Sequence, residues 1–440
     1  MRILIANLYS ALNRGDYLIA LGTIEILRRT YGDPELSGMV TSRTASLVYL
    51  EPDTRPYAIV LRSVEGNPSG LIQSPAESSA QSSIARVLTL VMGMTRAGVT
   101  LLRARTRSRN ELGRPDPSVA HLQDFDLVIN VGGAYLDAST LKDYPLLLSH
   151  LYPSGLAYLA GVPYAFVGES ISGVDQAWAR WPLRIAFSRA SLVVFREEIS
   201  LAKARESRLL GVSGPPPTSV LPDLALGLAE SLRPFRSPRS KRSPVTVGVA
   251  FRMWSASRVN RLDGDPVSPV AHALAQAAHE IPMRFVLLPF SRITSSNTDN
   301  DALACGRLEE ELRRIDPALE VSTVTLPPPE NLEGLARAFQ GLDFAVCVRL
   351  HASIFAAMVG VPSVVVEYRG HKSRGITEYL GLGDYYLGSV STGELKRKVV
   401  DLARNYDRVS LRVIDEVERS YRRLTGELIP SLREIPTPNH

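Results

Sequence analysis

Short, unbroken apolar runs recur along this chain, and they leave few architectures open. They lie at Ile3–Ala6, Leu127–Val131, Tyr164–Val167, Leu192–Phe195, Val245–Phe251, Arg284–Pro289, Val321–Leu326, Phe344–Val348 and Ser363–Glu367. Most are continuous in Val, Ile, Leu and Phe. A strand with one wet face alternates apolar and polar residues; a run without alternation is covered on both faces, as in a parallel sheet flanked by helices. Amphipathic stretches separate the runs, among them Tyr17–Arg29, Ser200–Leu210, Asp301–Arg314 and Asn331–Phe339. The alternation predicts an α/β fold built on parallel sheets.

At 440 residues the chain is long enough for two or three domains. The stretch "RPFRSPRSKRSP", 233–244, is basic, rich in Pro and Ser and poor in apolar residues. It reads as a linker between residues 1–232 and 245–440. The expectation is two Rossmann-like, doubly wound parallel-sheet domains facing across a cleft, with ligands beyond the carboxyl ends of the strands. Packing of the last helices back onto the N-terminal domain is left open. Residues 62–119 read as an insert. It opens with the polar "EGNPSGLIQSPAESSAQSS" and continues as "IARVLTLVMGMTRAGVTLLRARTRSR", 84–109. Arg86 and Arg96 interrupt the apolar run, so it is a poor spanning helix. Two readings stay open: a helix lying peripherally on an anionic membrane surface, or one packed on the N-terminal domain with a solvated basic end.

Composition narrows the function. With 45% hydrophobic and 22% charged residues the chain resembles a globular enzyme. A net charge of +5, dispersed and without an aromatic platform, argues against nucleic acid and suits an anionic substrate. Cys305 and Cys347 fall in a predicted helix and a predicted strand, which excludes a disulfide framework and suits a reducing compartment. No Cys/His spacing suggests a metal, so no metal and no cofactor are expected. The opening "MRILIANLYS" lacks the pattern of a signal peptide, and a cytoplasmic location is expected, with the inner membrane face open through 84–109.

The candidate chemistry sits where strands give way to helices. In "NRGDYLIALGTIEIL", Asp16 is placed to cap a helix and Gly15 to turn the backbone; the functional reading puts Asn13 and Asp16 beside an acceptor hydroxyl. In "DLVINVGGAYLDAS", Gly132 and Gly133 end a buried strand, allowing close backbone approach to a ligand, or simply a tight turn. In "LVVFREEIS", Arg196 follows a strand and precedes a helix whose first turn holds Glu197 and Glu198. It is either an Arg–Glu surface pair or a cleft arginine. In "RLHASIFAAM", Arg349 and His351 add a fixed cation and a proton donor to a helix N-terminus that already attracts anions. The plainer readings are an ion pair and a capped, satisfied ring. In "EYRGHKSRG", His371, Lys372 and Arg374 add positive charge to the same rim with Tyr368 beside them, or the stretch forms a solvated loop. Together Arg196, Arg349, His351 and Lys372 suit a small, highly charged anion.

These stretches, in this order, resemble polysaccharide pyruvyl transferases: "NRGDYLIA", "VINVGGAYLDAS", "GESISGV", "FREEIS", "LPDLALGL", "RLHASIFAAMVGVPSVVVEY" and "YRGHKSRGITEYLGL". The likeness runs from Met1 to Leu382 apart from the insert. Glu197 stands where an aspartate is usual, and "GESISGV" where a Gly-Gln-Gly-Ile-Gly-Pro-like run is common. The resemblance implies a GT-B-like architecture and transfer of pyruvate from phosphoenolpyruvate to two hydroxyls of a sugar in a cell-envelope or extracellular polysaccharide precursor, with release of phosphate. It implies Arg196, Arg349 and His351 as donor contacts, with Lys372 open, and it puts the N-terminal domain on the acceptor side and the C-terminal one on the donor side. The chemistry of the residues themselves makes His351 the candidate general acid, toward C3 or toward the phosphate, and Tyr368 a further substrate-binding candidate. Asp16 or Asp137 is the candidate base. A lipid-linked acceptor is open. The rival on the same architecture is a glycosyltransferase with a sugar-nucleotide donor, for which Glu378 could hold the ribose; a non-catalytic membrane scaffold is a second rival.

Overall fold

A computed structural model describes residues 1–8, 12–40, 122–133, 136–139, 143–174, 176–211, 215–238, 240–253, 265–293, 299–367 and 372–437. The chain divides into two compact units. The first comprises Met1–Ala11, Ile19–Leu224 and Thr425–His440; the second comprises Leu12–Leu18 and Ala225–Leu424.

The first unit is built on β1 (Arg2–Leu8), β2 (Glu35–Val40), β3 (Leu127–Val131), β5 (Tyr164–Glu169), β7 (Leu192–Phe195) and β8 (Thr218–Val220). They form one sheet in the order β2-β1-β3-β5-β7-β8, and every pair is parallel. A separate two-stranded ladder joins β4 (Leu136–Asp137) and β6 (Ile171–Ser172). The helices are α1 (Arg14–Tyr31), α2 (Tyr144–Ala160), α3 (Ala177–Ser188) and α4 (Glu198–Glu206). β3, β5 and β7 are buried at every position, as their lack of alternation requires. Phe166 of β5 meets Phe187 of α3 edge to face at 4.9 Å, and Phe187 meets Phe195 of β7 at 5.9 Å. Burying each such ring stabilises the fold by about 2–3 kcal/mol.

The second unit repeats the plan with β9 (Val245–Ala250), β10 (Met283–Leu287), β11 (Glu320–Thr323), β12 (Phe344–Cys347), β13 (Ser363–Val366) and β14 (Tyr386–Leu387). Their order is β11-β10-β9-β12-β13-β14, again all parallel. Its helices are α5 (Val267–Glu280), α6 (Asp301–Ile315), α7 (Leu332–Gln340), α8 (Leu350–Met358), α9 (Lys372–Tyr379), α10 (Thr392–Arg404) and α11 (Tyr406–Arg433). Asn300 and Asn331 start α6 and α7 by accepting the N–H groups of Leu303 and Gly334 at 3.1 and 2.7 Å. The chain winds outward from β9 through β10 to β11, returns, and winds the other way from β12 to β14. The reversal between β9 and β12 marks the place, beyond the carboxyl ends of the strands, where doubly wound sheets usually bind their ligands. In the first unit the corresponding reversal lies between β1 and β3.

All the apolar runs became strands. The edge strands β2, β8 and β14 were not expected; "ELSGMV", "TSV" and "YL" are too short or too mixed to read as runs. The basic stretch 233–244 belongs to the second unit, because its cations close helix ends there. Arg236 donates to the carbonyl of Met358 at the end of α8 (3.0 Å), Lys241 to that of Ala403 near the end of α10 (2.8 Å), and Arg242 to that of Gln340 at the end of α7 (3.1 Å). Those carbonyls have no partner within their helices, and the negative end of each dipole favours a cation. The end of α11 belongs to the first unit, where Tyr31 donates to the carbonyl of Leu432 and Arg433 to that of Thr30, at 2.7 and 3.0 Å. Among the described residues no helix is long and apolar enough to cross a membrane. The insert 62–119, with 84–109, lies outside them.

Candidate active site

The segment Leu12–Leu18 forms part of the second unit. Asn13 makes an antiparallel bridge with Ser291, and the N–H of Arg292 donates to the carbonyl of Leu12 at 2.7 Å. The Arg14 guanidinium is buried among four carbonyls, those of Pro289, Phe290, Leu326 and Pro327, at 2.7–3.2 Å. Burial, then nearby Arg292, lowers its pKa to about 10, so the cation persists at neutral pH. The helix begins at Arg14, not at Tyr17, and Asn13 rather than Asp16 caps it. The Asn13 Oδ1 accepts from Gly15 N–H at 3.1 Å, while its Nδ2 donates to Asp16 at 2.7 Å, so one side chain both caps the helix and holds Asp16.

This loop lies against the start of α8. A methyl group at Gly15 would fall 2.7 Å from Nδ1 of His351, so only glycine lets the backbone come so close to the imidazole. Arg349 immediately precedes α8, and its N–H reaches the carbonyl of Ala250 at the end of β9. Its Nε lies 3.1 Å from both oxygens of Asp301 and its Nη2 2.6 Å from Oδ1. Asp301 is fully buried and also accepts the N–H of Ser291 at 2.7 Å. Burial pushes the Asp301 carboxyl above its ordinary value, against the pull of Arg349. Arg349 and His351 are thus tied to the Asn13–Asp16 loop twice, through Gly15 and through Asp301–Ser291–Asn13. Four of the candidate residues, Asn13, Asp16, Arg349 and His351, are thus brought together, with Gly15 as the point of contact.

Arg196 belongs to the first unit. It is 2% exposed, neither a surface pair nor an open cation. Its Nε donates to Ser170 Oγ at 2.6 Å, and its Nη1 pairs with Asp223 at 2.8 Å. Ser170 donates in turn to Glu197 at 2.8 Å, and Glu197 also accepts from Ser200. Glu169 completes this buried cluster; its burial raises its pKa well above the usual carboxylate range, with Arg196 opposing and Glu197 adding to the rise. Gly132 N–H donates to the carbonyl of Val167 at 2.7 Å, and an added Cβ would lie 2.1 Å from the Gly168 carbonyl carbon. The close approach at Gly132 is therefore between strands. Gly133 accepts from Ser170 N–H through its carbonyl, at 3.2 Å. Asp137 closes β4, Lys372 opens α9, and Tyr368 and His371 lie outside the described residues. Arg374 and Glu378, the latter the rival's ribose contact, are both exposed and lie 3.8 Å apart on α9.

Residues not expected at the site are Arg14, Arg252, Asp299 and Asp301. Arg252 had a readable signal, since it follows a buried apolar run just as Arg196 and Arg349 do. Asp299 and Asp301 sit in "SSNTDND", which reads only as a polar loop. At the reversal of the first sheet, Asn7 (φ 64°) donates to the carbonyl of His150 and Asn130 to that of Ala165, at 3.0 and 3.1 Å. Both Oδ1 atoms are buried without a hydrogen-bond partner among the described residues. No group of three or more His, Cys, Asp or Glu among the described residues could hold a metal ion.

The family model for polysaccharide pyruvyl transferase matches residues 13–370. The amylovoran biosynthesis protein AmsJ of Erwinia amylovora is 23% identical over 460 residues, spanning 98% of this chain and 100% of AmsJ. Among solved structures, the sucrose-phosphate synthase of Thermosynechococcus elongatus matches with a TM-score of 0.52 at 11% identity, over 98% of each chain. Anabaena HepE in complex with UDP matches with a TM-score of 0.50 at 12% identity, over 99% of each chain. At such identities these two structures speak for the fold alone.

Proposed function

The chain belongs to the polysaccharide pyruvyl transferase family, and from that premise we propose that it moves pyruvate from phosphoenolpyruvate onto two hydroxyls of one sugar in a polysaccharide precursor. The coarser statement, a transferase of polysaccharide biosynthesis, follows from the family; the donor, the ketal product and the residue roles are our reading.

The chemistry sets the requirements. C3 of phosphoenolpyruvate takes a proton, which makes C2 electrophilic. One sugar oxygen bonds to C2, the bond from C2 to the phosphate oxygen breaks, and a second sugar oxygen completes the ketal. Of the two hydroxyl protons, one balances that delivered to C3 and the other leaves with phosphate. The site must hold two anionic groups, deliver a proton and accept one. Preset cations in a confined site are the largest expected contribution. The observation that carries the reading is the packing of His351 against Gly15 beside Arg349, which puts a titratable ring next to a fixed cation at a helix N-terminus. In this reading Arg349 binds an anionic group of the donor, His351 is the general acid, and Asp16 or Asp137 takes the hydroxyl proton. Arg196 is held at both Nε and Nη1 by its own unit, so the proposal gives it second place.

The test is turnover by purified His351→Ala protein given phosphoenolpyruvate and extracted envelope glycans, followed by phosphate release and by mass spectrometry of the glycan. The expected result is loss of ketal formation by a hundredfold or more, a general acid being worth about 10²–10⁴. Turnover near the wild-type level would remove His351 from the mechanism.

A further inference from the structure

Arg349 is held along one edge by Asp301. Its other edge faces a second carboxylate: Nη1 lies 3.2 Å from Oδ1 of Asp299. The same Oδ1 lies 3.0 Å from Nη2 of Arg252. Two guanidinium groups thus converge on one carboxylate oxygen. They come from opposite sides of the sheet reversal, Arg252 from just beyond β9 and Arg349 from just beyond β12, and these strands are direct neighbours. The two aspartates are not equivalent. Asp301 is fully buried and fixed by the Ser291 N–H as well as by Arg349, whereas the Asp299 side chain is 32% exposed. Asp301 is the permanent counter-ion. Asp299 is therefore the one of the two that a ligand could displace, and a ligand oxygen in its place would meet both guanidinium groups beside a helix N-terminus.

We propose that Arg252 and Arg349 together form the seat for one anionic group of the donor, a carboxylate or a phosphate, and that Asp299 occupies this seat until the donor displaces it. The inference rests on the donor reading above and extends it. It adds Arg252 as a donor-binding residue and makes Asp299 an internal competitor that sets donor affinity. The geometry suits the class of ligand: a carboxylate oxygen already sits where the ligand's oxygen would go, and guanidinium groups bind carboxylate and phosphate oxygens alike.

The experiment uses the full chain and three variants, Asp299→Ala, Asp299→Asn and Arg252→Ala, titrated calorimetrically with inorganic phosphate and with phosphoenolpyruvate. Thermal unfolding shows that each is folded, and the near-isosteric Asp299→Asn guards against a packing effect. Removing the competing carboxylate is expected to tighten binding of both anions about tenfold, and removing Arg252 to weaken it about tenfold, the scale of one charge-assisted hydrogen bond. Unchanged or weaker binding in both Asp299 variants would overturn the proposal, as would wild-type affinity in Arg252→Ala. The two levels separate cleanly. If the phosphate affinities follow the expected order but phosphoenolpyruvate is never turned over, the seat stands and the donor reading fails. If phosphoenolpyruvate is turned over but neither anion senses Asp299 or Arg252, the donor reading stands and the seat fails.

Discussion

Gly15 and Glu169 show how single residues carry the account. The Gly15 backbone lies against the His351 ring, so Gly15→Ala must push the imidazole by several tenths of an ångström or more. Catalysis is sensitive to displacements of that size. Gly15→Ala is expected to lower kcat roughly tenfold to a hundredfold with cooperative unfolding retained; unchanged kcat would show that the ring's position does not matter. Glu169 is fully buried, and its pKa in the fold lies well above the ordinary 4.5. Below pH 4.5 both folded and unfolded states hold the proton. Above it the unfolded chain releases a proton that the native state keeps, so this group's contribution to stability falls as pH rises. Glu169→Gln removes that dependence. Its Tm relative to wild type is expected to rise as the pH goes above 4.5, until the native carboxyl itself ionises, and a difference constant with pH would contradict the assignment.

At the scale of elements, the strap 233–244 holds helix ends rather than spacing domains. Arg236 reaches the carbonyl of Met358 and lies 3.2 Å from Glu418, and Arg242 reaches that of Gln340. Arg236→Ala is expected to cost about 1–2 kcal/mol, seen as a lowered urea midpoint; a midpoint within error of wild type would show that α8 ends without its help. The central strands were legible because burial on both faces removes the alternation that marks a half-exposed strand. Of the edge strands only β11 was legible; β8 and β14 are three and two residues long, and β2, "ELSGMV", mixes polar residues and glycine into its apolar ones. The strap misled for a related reason. Its composition is that of a solvated linker, and its partners are carbonyls about 100–160 residues away, which no local pattern reveals. At the site, Arg349 and His351 could be read from their place after a strand. Their neighbours could not, since Arg14 meets carbonyls some 275 and more residues distant.

For the molecule as a whole, two doubly wound sheets give two reversals, and Arg252 and Arg349 lie at that of the second unit. Both cysteines are free and buried in that unit, Cys305 on α6 and Cys347 on β12. Burial raises both thiols, Cys305 to about 12. Neither is expected to react with a thiol reagent in the native protein at pH 8, and both should react once urea unfolds it; fast native labelling would mean that the core opens locally. We propose above that the site around Arg349 and His351 takes a small acid phosphate. Calorimetric titration of the wild-type chain and of Arg349→Ala, each with phosphoenolpyruvate and with UDP-glucose, tests it most directly. Saturable binding of phosphoenolpyruvate by the wild type is expected, at least tenfold weaker in Arg349→Ala, with no comparable binding of UDP-glucose. Tight UDP-glucose binding without phosphoenolpyruvate binding, or phosphoenolpyruvate affinity indifferent to Arg349, would contradict it.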